Sequence, residues 1–296
     1  MFSDGFAKIV RSQLITRREA EVQRNTTCLN VIAVLGTLLM CGCGWGANSS
    51  DIASYRMIPL VPDPDGEKHC SQDQKWCVQL AQDADTGGVL VSATRDGKPG
   101  RERTLAYDIL TDADSFGATD REVWPFLITA SDRSADVLVG VISAVNVGYS
   151  GGGTEAHFLD VIRLDAGDGP SLSTNPVVLS VPIGAVKMIR ACFSDADIQK
   201  RRDVCHDEYR FAADIRLSHH GVVGLPAIEY ASRATAFPAT ASLDQDSTQL
   251  PGLRDEDLVE RVDERCSFDR IFRFDVAHGR YEPDVRLPDC DDYLMP

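Results

Sequence analysis

The chain has little of what marks a membrane-embedded or nucleotide-using protein. Its apolar run Leu29 to Met40 is broken by Asn30, Gly36 and Thr37, too short for a comfortable anchor when a full span takes about 20 apolar residues. It has no phosphate-cradling glycine loop, no dinucleotide fingerprint and no basic stripe interleaved with aromatics, so neither nucleotide chemistry nor nucleic-acid recognition is expected. None of its six downstream cysteines stands in the two-residue spacing of a zinc knuckle, and neither a metal nor a cofactor is expected. Positive charge is also scarce: 30 Lys and Arg stand against 45 Asp and Glu, a formal net charge of −15. Binding to phosphates rests on Lys and Arg that release counterions, so nucleic acid and anionic lipid are poor partners.

The basic residues that are present crowd the start. Lys8, Arg11, Arg17, Arg18 and Arg24 precede the apolar run, and the small-residue stretch Cys41 to Ala47 follows it. A basic region, an apolar region and a small-residue cleavage site make an export signal. Cys43, preceded by Gly42, is the lipidation candidate, and ordinary cleavage near Gly46 or Ala47 is the alternative. An uncleaved anchor is the third. The expected location is the periplasm or the outer membrane, or outside the cell, with membrane attachment through the leader only.

Beyond the leader remain Cys70, Cys77, Cys192, Cys205, Cys266 and Cys290. An even number of cysteines in an exported chain reads first as a disulfide framework. Short loops close at less entropic cost than long ones, which favours Cys70 with Cys77, Cys192 with Cys205, and Cys266 with Cys290.

The rest of the chain is short apolar runs rich in Val, Ile, Phe and Tyr, separated by turn residues: Trp76 to Leu80, Val89 to Thr94, Val123 to Ala130, Val137 to Val147, Phe158 to Leu164, Tyr209 to Leu217 and Phe268 to Phe274 among them. Several alternate in polarity, as half-buried strands do. The chain divides into a leader at 1–46, an irregular proline-bearing lead-in at 47–75 and a single β-rich domain at 76–296. The expected fold is mostly β, a sandwich, barrel or small propeller-like arrangement of antiparallel hairpins with one or two short helices. Ser194 to Asp203, opening on an N-cap serine, and Asp255 to Arg265, with Leu258, Val259 and Val262 on one face, are the helix candidates.

One stretch carries an enzymatic signal. Gly148-Tyr149-Ser150-Gly151-Gly152 matches the GxSxG nucleophile elbow and follows an apolar run, with His206, His219, His220 and His278 downstream. Against it, glycines at 151, 152 and 153 would open the required helix, each costing about 1 kcal/mol relative to Ala. A glycine-rich hairpin tip is the plainer account. The same residues loosely resemble the GDSGG of trypsin-like proteases, but Tyr149 stands in the Asp place and His69 lies too close in sequence. Asp112-Ala113-Asp114 resembles the start of a calcium loop, yet Phe116 takes the fifth ligand place and Val123 the twelfth. The expected function is that of a non-catalytic binding or structural domain of the cell envelope, its partner an envelope protein or a small ligand; the alternative is a secreted serine hydrolase using Ser150.

Overall fold

In the computed structural model, residues 55–82, 88–105, 119–130, 137–164, 176–218 and 224–295 are described. The leader with Cys43, the acidic loops Asp83–Asp85 and Asp112–Gly117, and His219 with His220 lie outside them. Fourteen strands are formed by the described residues: β1 (Tyr55–Pro62), β2 (Lys68–Ser71), β3 (Trp76–Gln82), β4 (Val89–Arg95), β5 (Lys98–Leu105), β6 (Thr119–Ala130), β7 (Val137–Tyr149), β8 (Gly152–Leu164), β9 (Val177–Arg190), β10 (His206–Leu217), β11 (Ile228–Phe237), β12 (Arg261–Asp263), β13 (Asp269–Asp275) and β14 (Arg280–Pro283). Two short helices join them, α1 (Asp195–Lys200) and α2 (Asp291–Leu294).

The strands pair in the order β14-β13-β11-β10-β9-β8-β7-β6-β1-β2-β3-β4-β5, and β12 lies on β11 beside β13. Every pairing is antiparallel, and the sheet does not close into a barrel. The mostly β class is therefore realised as an open meander. β1 is shared between two halves of it: Tyr55 to Pro59 face β6, whereas Leu60 to Pro62 face β2.

The central strands are covered on both sides, which is why they read as continuous apolar runs. Val137, Val139 and Val141 of β7 pack with Leu60, Val78 and Val91, while Leu138 and Ile142 pack on the opposite face with Trp124, Phe211, Tyr230 and Phe272. Full burial of a side chain such as Phe211 contributes about 1.5–3 kcal/mol. Gly140 of β7 is set by this packing: a Cβ there would stand 2.6 Å from the Cβ of Trp124.

Two expectations are corrected. The stretch at 47–75, read as irregular, carries β1 and β2 within its described part. Proline lacks the N–H of a ladder bond, and the prolines of β1 fall where this matters least: Pro59 at the change of partner and Pro62 at the strand end. Asp255 to Arg265 is not a helix. Only a single turn of 3-10 helix forms at Asp255–Asp257, closed by the Arg254 N–H donating to Asp257 Oδ2 at 2.8 Å, and Val262 then pairs with Thr235 as part of β12. Strand pairing has overridden an amphipathic spacing. Between the cysteines at 192 and 205, α1 forms with Ser194 as its N-cap.

Candidate functional site

The GxSxG stretch folds as strand, turn and strand. Tyr149 pairs with Gly152, so Ser150 and Gly151 are the two turn residues between β7 and β8, and Ser150 is exposed. A nucleophile elbow needs a helix after the serine; β8 occupies that place. The glycines answer to close packing: at Gly152, with φ of +154°, a Cβ would stand 2.0 Å from the carbonyl oxygen of Met188 in β9. Of the downstream histidines, His278 is bound to Asp275 at 2.7 Å, which holds that carboxyl below its usual range. His206 lies in register with Arg190 on the second strand over from the turn. Among the described residues no hydrogen bond joins Ser150 to a histidine.

The hairpin tip borders a cleft. The backbone N–H of Arg190, at the end of β9, donates to the Gly151 carbonyl at 2.6 Å. Ile189 and Arg190 form one wall, Asp207 of β10 lies at the base, and Ser242, Leu243, Asp244, Gln245, Asp246 and Ser247 form the other wall of a half-open space of about 290 Å³. The cleft is stapled on one side by Cys192–Cys205, whose Cα atoms are 4.9 Å apart. Inside that loop Ser194 caps α1 by accepting from the Asp197 N–H at 3.2 Å, and Phe193 N–H bonds back to Asp197 Oδ2 at 3.0 Å. The bond from Phe193 and then that from Ser194 lower the Asp197 pKa.

Beneath the cleft is a buried polar knot. Arg201 donates from Nη2 to Asp207 Oδ1 at 2.5 Å and from Nε to the Val204 carbonyl at 2.8 Å, while the Ser247 hydroxyl donates to Asp207 Oδ2. Arg201 and Asp207 are each only 3% exposed at the side chain. Lys200 adds a tie from Nζ to the Thr248 carbonyl at 2.7 Å. A buried ion pair of this kind has its desolvation offset only when its other donors and acceptors are engaged, and here Arg201 Nε and both Asp207 oxygens have partners. Asp207 thus holds the 242–248 loop against β10.

The other cysteines lie away from this cleft. Cys70–Cys77 links β2 to β3, with Cα atoms 4.0 Å apart, and Cys266–Cys290, at 5.9 Å, fixes the chain just before α2. The six are joined in the pairs that local loop closure favours. Three disulfides belong to an oxidising, non-cytoplasmic compartment, and among the described residues no helix is long and apolar enough to cross a membrane.

Arg190, Arg201, Asp207 and Ser247 were not legible as a site. One signal existed for Asp207: in the alternation Asp207, Tyr209, Phe211 it falls on the inward face of its strand, where a lone carboxylate needs a buried partner. No family model, no curated protein and no solved structure matches this chain.

Proposed function

We propose that the protein is a non-catalytic binding module of the cell envelope that takes a small ligand in the cleft between the end of β9 and the 242–247 loop. The observation that carries this reading is the state of Asp207, the buried carboxylate at the base of the cleft: one oxygen is held by Arg201 and the other by Ser247. A general acid or base must be within reach of substrate with a proton to give or take, and this carboxylate has both oxygens engaged in structure. Ser150 lies on a turn beside the cleft with a strand following it, which favours a rim residue over an activated nucleophile.

The leader fits a location in the periplasm, on the outer membrane through Cys43, or outside the cell. Fusion of residues 1–60 to a reporter active only outside the cytoplasm gives signal on this reading, and a silent reporter refutes it. The competing reading, a serine hydrolase using Ser150, separates cleanly: a fluorophosphonate probe labels an activated serine and leaves the binding module unmarked. Labelling that disappears in Ser150→Ala overturns the non-catalytic assignment.

A further inference from the structure

We propose that the cleft binds a small zwitterion of the α-amino-acid type, its carboxylate held by Arg190 and its ammonium by Asp244. The inference rests on reading this cleft as the binding site, and it names the ligand.

Two opposite charges line the same small space and neither is used by the fold as an ion pair. Arg190 is oriented from three directions: its backbone N–H binds Gly151 at 2.6 Å, its Nε donates to the Cys192 carbonyl at 2.8 Å, and its guanidinium lies 4.9 Å from the centre of the Phe193 ring. Among the described residues it forms no salt bridge with a carboxylate, in a chain where acids outnumber bases 45 to 30. Its stem is fixed by these contacts, Arg190 lines the cleft, and its terminal nitrogens are left without a carboxylate partner among the described residues. A guanidinium fork matches a carboxylate with two parallel hydrogen bonds.

Asp244 stands on the facing wall. Its backbone N–H donates to the Ser242 hydroxyl at 3.2 Å, which shapes the loop, while its carboxylate has no hydrogen-bond or ion-pair partner among the described residues. Asp246, two residues on, is different: it accepts from the Thr248 N–H at 2.9 Å and from the Thr248 hydroxyl at 2.7 Å, and those bonds lower its pKa. Asp207 is closed as described above. Of the three carboxylates around the cleft, Asp244 alone is left to meet a ligand.

The combination discriminates. A simple anion would face Asp244 and Asp246 and a simple cation would face Arg190, whereas a molecule carrying both charges satisfies each wall. The half-open cleft of about 290 Å³ is at the low end of ligand pockets, which suits a small molecule. Ile189 and Leu243 offer a limited apolar surface for a side chain, and Ser242 and Gln245 add neutral hydrogen-bonding groups.

The test uses the full chain with its disulfides intact, titrated with each of the twenty common free α-amino acids by calorimetry and by amide chemical shifts. The expected result is binding of at least one with a Kd below about 1 mM, with shifts at Arg190 and Asp244. The N-acetyl and the carboxamide forms of that amino acid then bind at least tenfold more weakly, as does the parent amino acid to Asp244→Asn. Arg190→Gln has the same effect; because Arg190 also supports the Cys192 carbonyl, Asp244→Asn on its exposed loop is the variant that isolates recognition from folding. Unchanged affinity in Asp244→Asn, or equal binding of the N-acetyl form, overturns the proposal. If a sugar, polyamine or dicarboxylate shifts the cleft residues and no amino acid does, the zwitterion assignment falls and the binding module stands. If none of these compounds shifts them, both fall.

Discussion

Lys187 of β9 donates from Nζ to the backbone carbonyl of Asp292 in α2, 3.1 Å away and 105 residues later in the chain. Its strand neighbours in register are Thr154 on β8 and Tyr209 on β10, and all three side chains are buried. The Thr154 and Tyr209 hydroxyls have no hydrogen-bond partner among the described residues. Burial pushes the Lys187 ammonium below its ordinary pKa, opposed by the charge of Asp292. Since one carbonyl is modest compensation for a desolvated ammonium, Lys187→Met should keep or raise stability, by up to about 1 kcal/mol, while Lys187→Ala should lose about 2 kcal/mol through the cavity it leaves. Urea denaturation midpoints of the two variants decide the matter; a loss above about 2 kcal/mol in the Met variant would show that the ammonium is net stabilising.

The Arg201–Asp207 pair should behave in the opposite way. Both partners are buried and mutually satisfied, so Arg201→Ala leaves an uncompensated carboxylate and is expected to cost about 3–5 kcal/mol. Equilibrium denaturation measures it. A cost below about 1 kcal/mol would mean that water reaches Asp207 and that the loop is not held as described.

Asp160 of β8 gives a pH dependence. Burial raises its pKa, against lowering by a hydrogen bond from Ser180 and by the charge of Arg121, and its Oδ1 has no hydrogen-bond partner among the described residues. The folded carboxyl holds its proton to higher pH than the unfolded one. Its contribution to stability is then fully present below the ordinary Asp pKa and is lost as pH rises through the raised value. Asp160→Asn removes that titration, so the wild type should lose stability relative to the variant on going from pH 4 to pH 7, by on the order of 1 kcal/mol. Parallel pH–stability curves for the two proteins would refute this.

At the hairpin tip, neighbouring positions should differ sharply. Gly152→Ala forces a Cβ into the Met188 carbonyl and is expected to cost about 1–3 kcal/mol. Ser150→Ala, on an exposed turn position, should change stability by less than about 0.5 kcal/mol. Thermal unfolding of the two variants is the measurement, and equal midpoints would contradict the close approach.

The three disulfides should rank by the loop each closes, with sequence separations of 7, 13 and 24 residues. On the chain-entropy account, replacing each pair by serines costs about 2.4, 3 and 3.5 kcal/mol respectively. Denaturation of the three double variants tests the order, and the largest loss at Cys70–Cys77 would overturn the entropic ranking.

Much of this fold was legible because its determinants are local. Apolar runs rich in Val, Ile and Phe mark β7, β8 and β13, and cysteines 7 to 24 residues apart in the chain close on one another. The site was not, because its parts meet only through pairing at a distance. Arg190 lines the cleft by standing at the end of a strand whose register is set against β8 and β10, and Ser247 reaches Asp207 across 40 residues. Local pattern did favour a turn at Ser150 over an elbow, because three glycines follow the serine, and the element that comes next, β8, is a strand. The misread helix at Asp255 comes from pairing at a distance: its spacing suits a helix, but Thr235 of β11 claims Val262.

The shared strand β1 imposes an order of assembly. Strands β6 to β11 each pair with their sequence neighbours, so that meander closes from short-range contacts. β1 instead places Tyr55 opposite Ala130, a contact that waits until β6 has been made and pays a larger loop-closure entropy. Since β2 to β5 join the meander's hydrogen-bonded ladder only through β1, their backbone tie to it is the change of partner between Pro59 and Leu60, and the packing of Val78 and Val91 on the β7 valines is what holds these hairpins down.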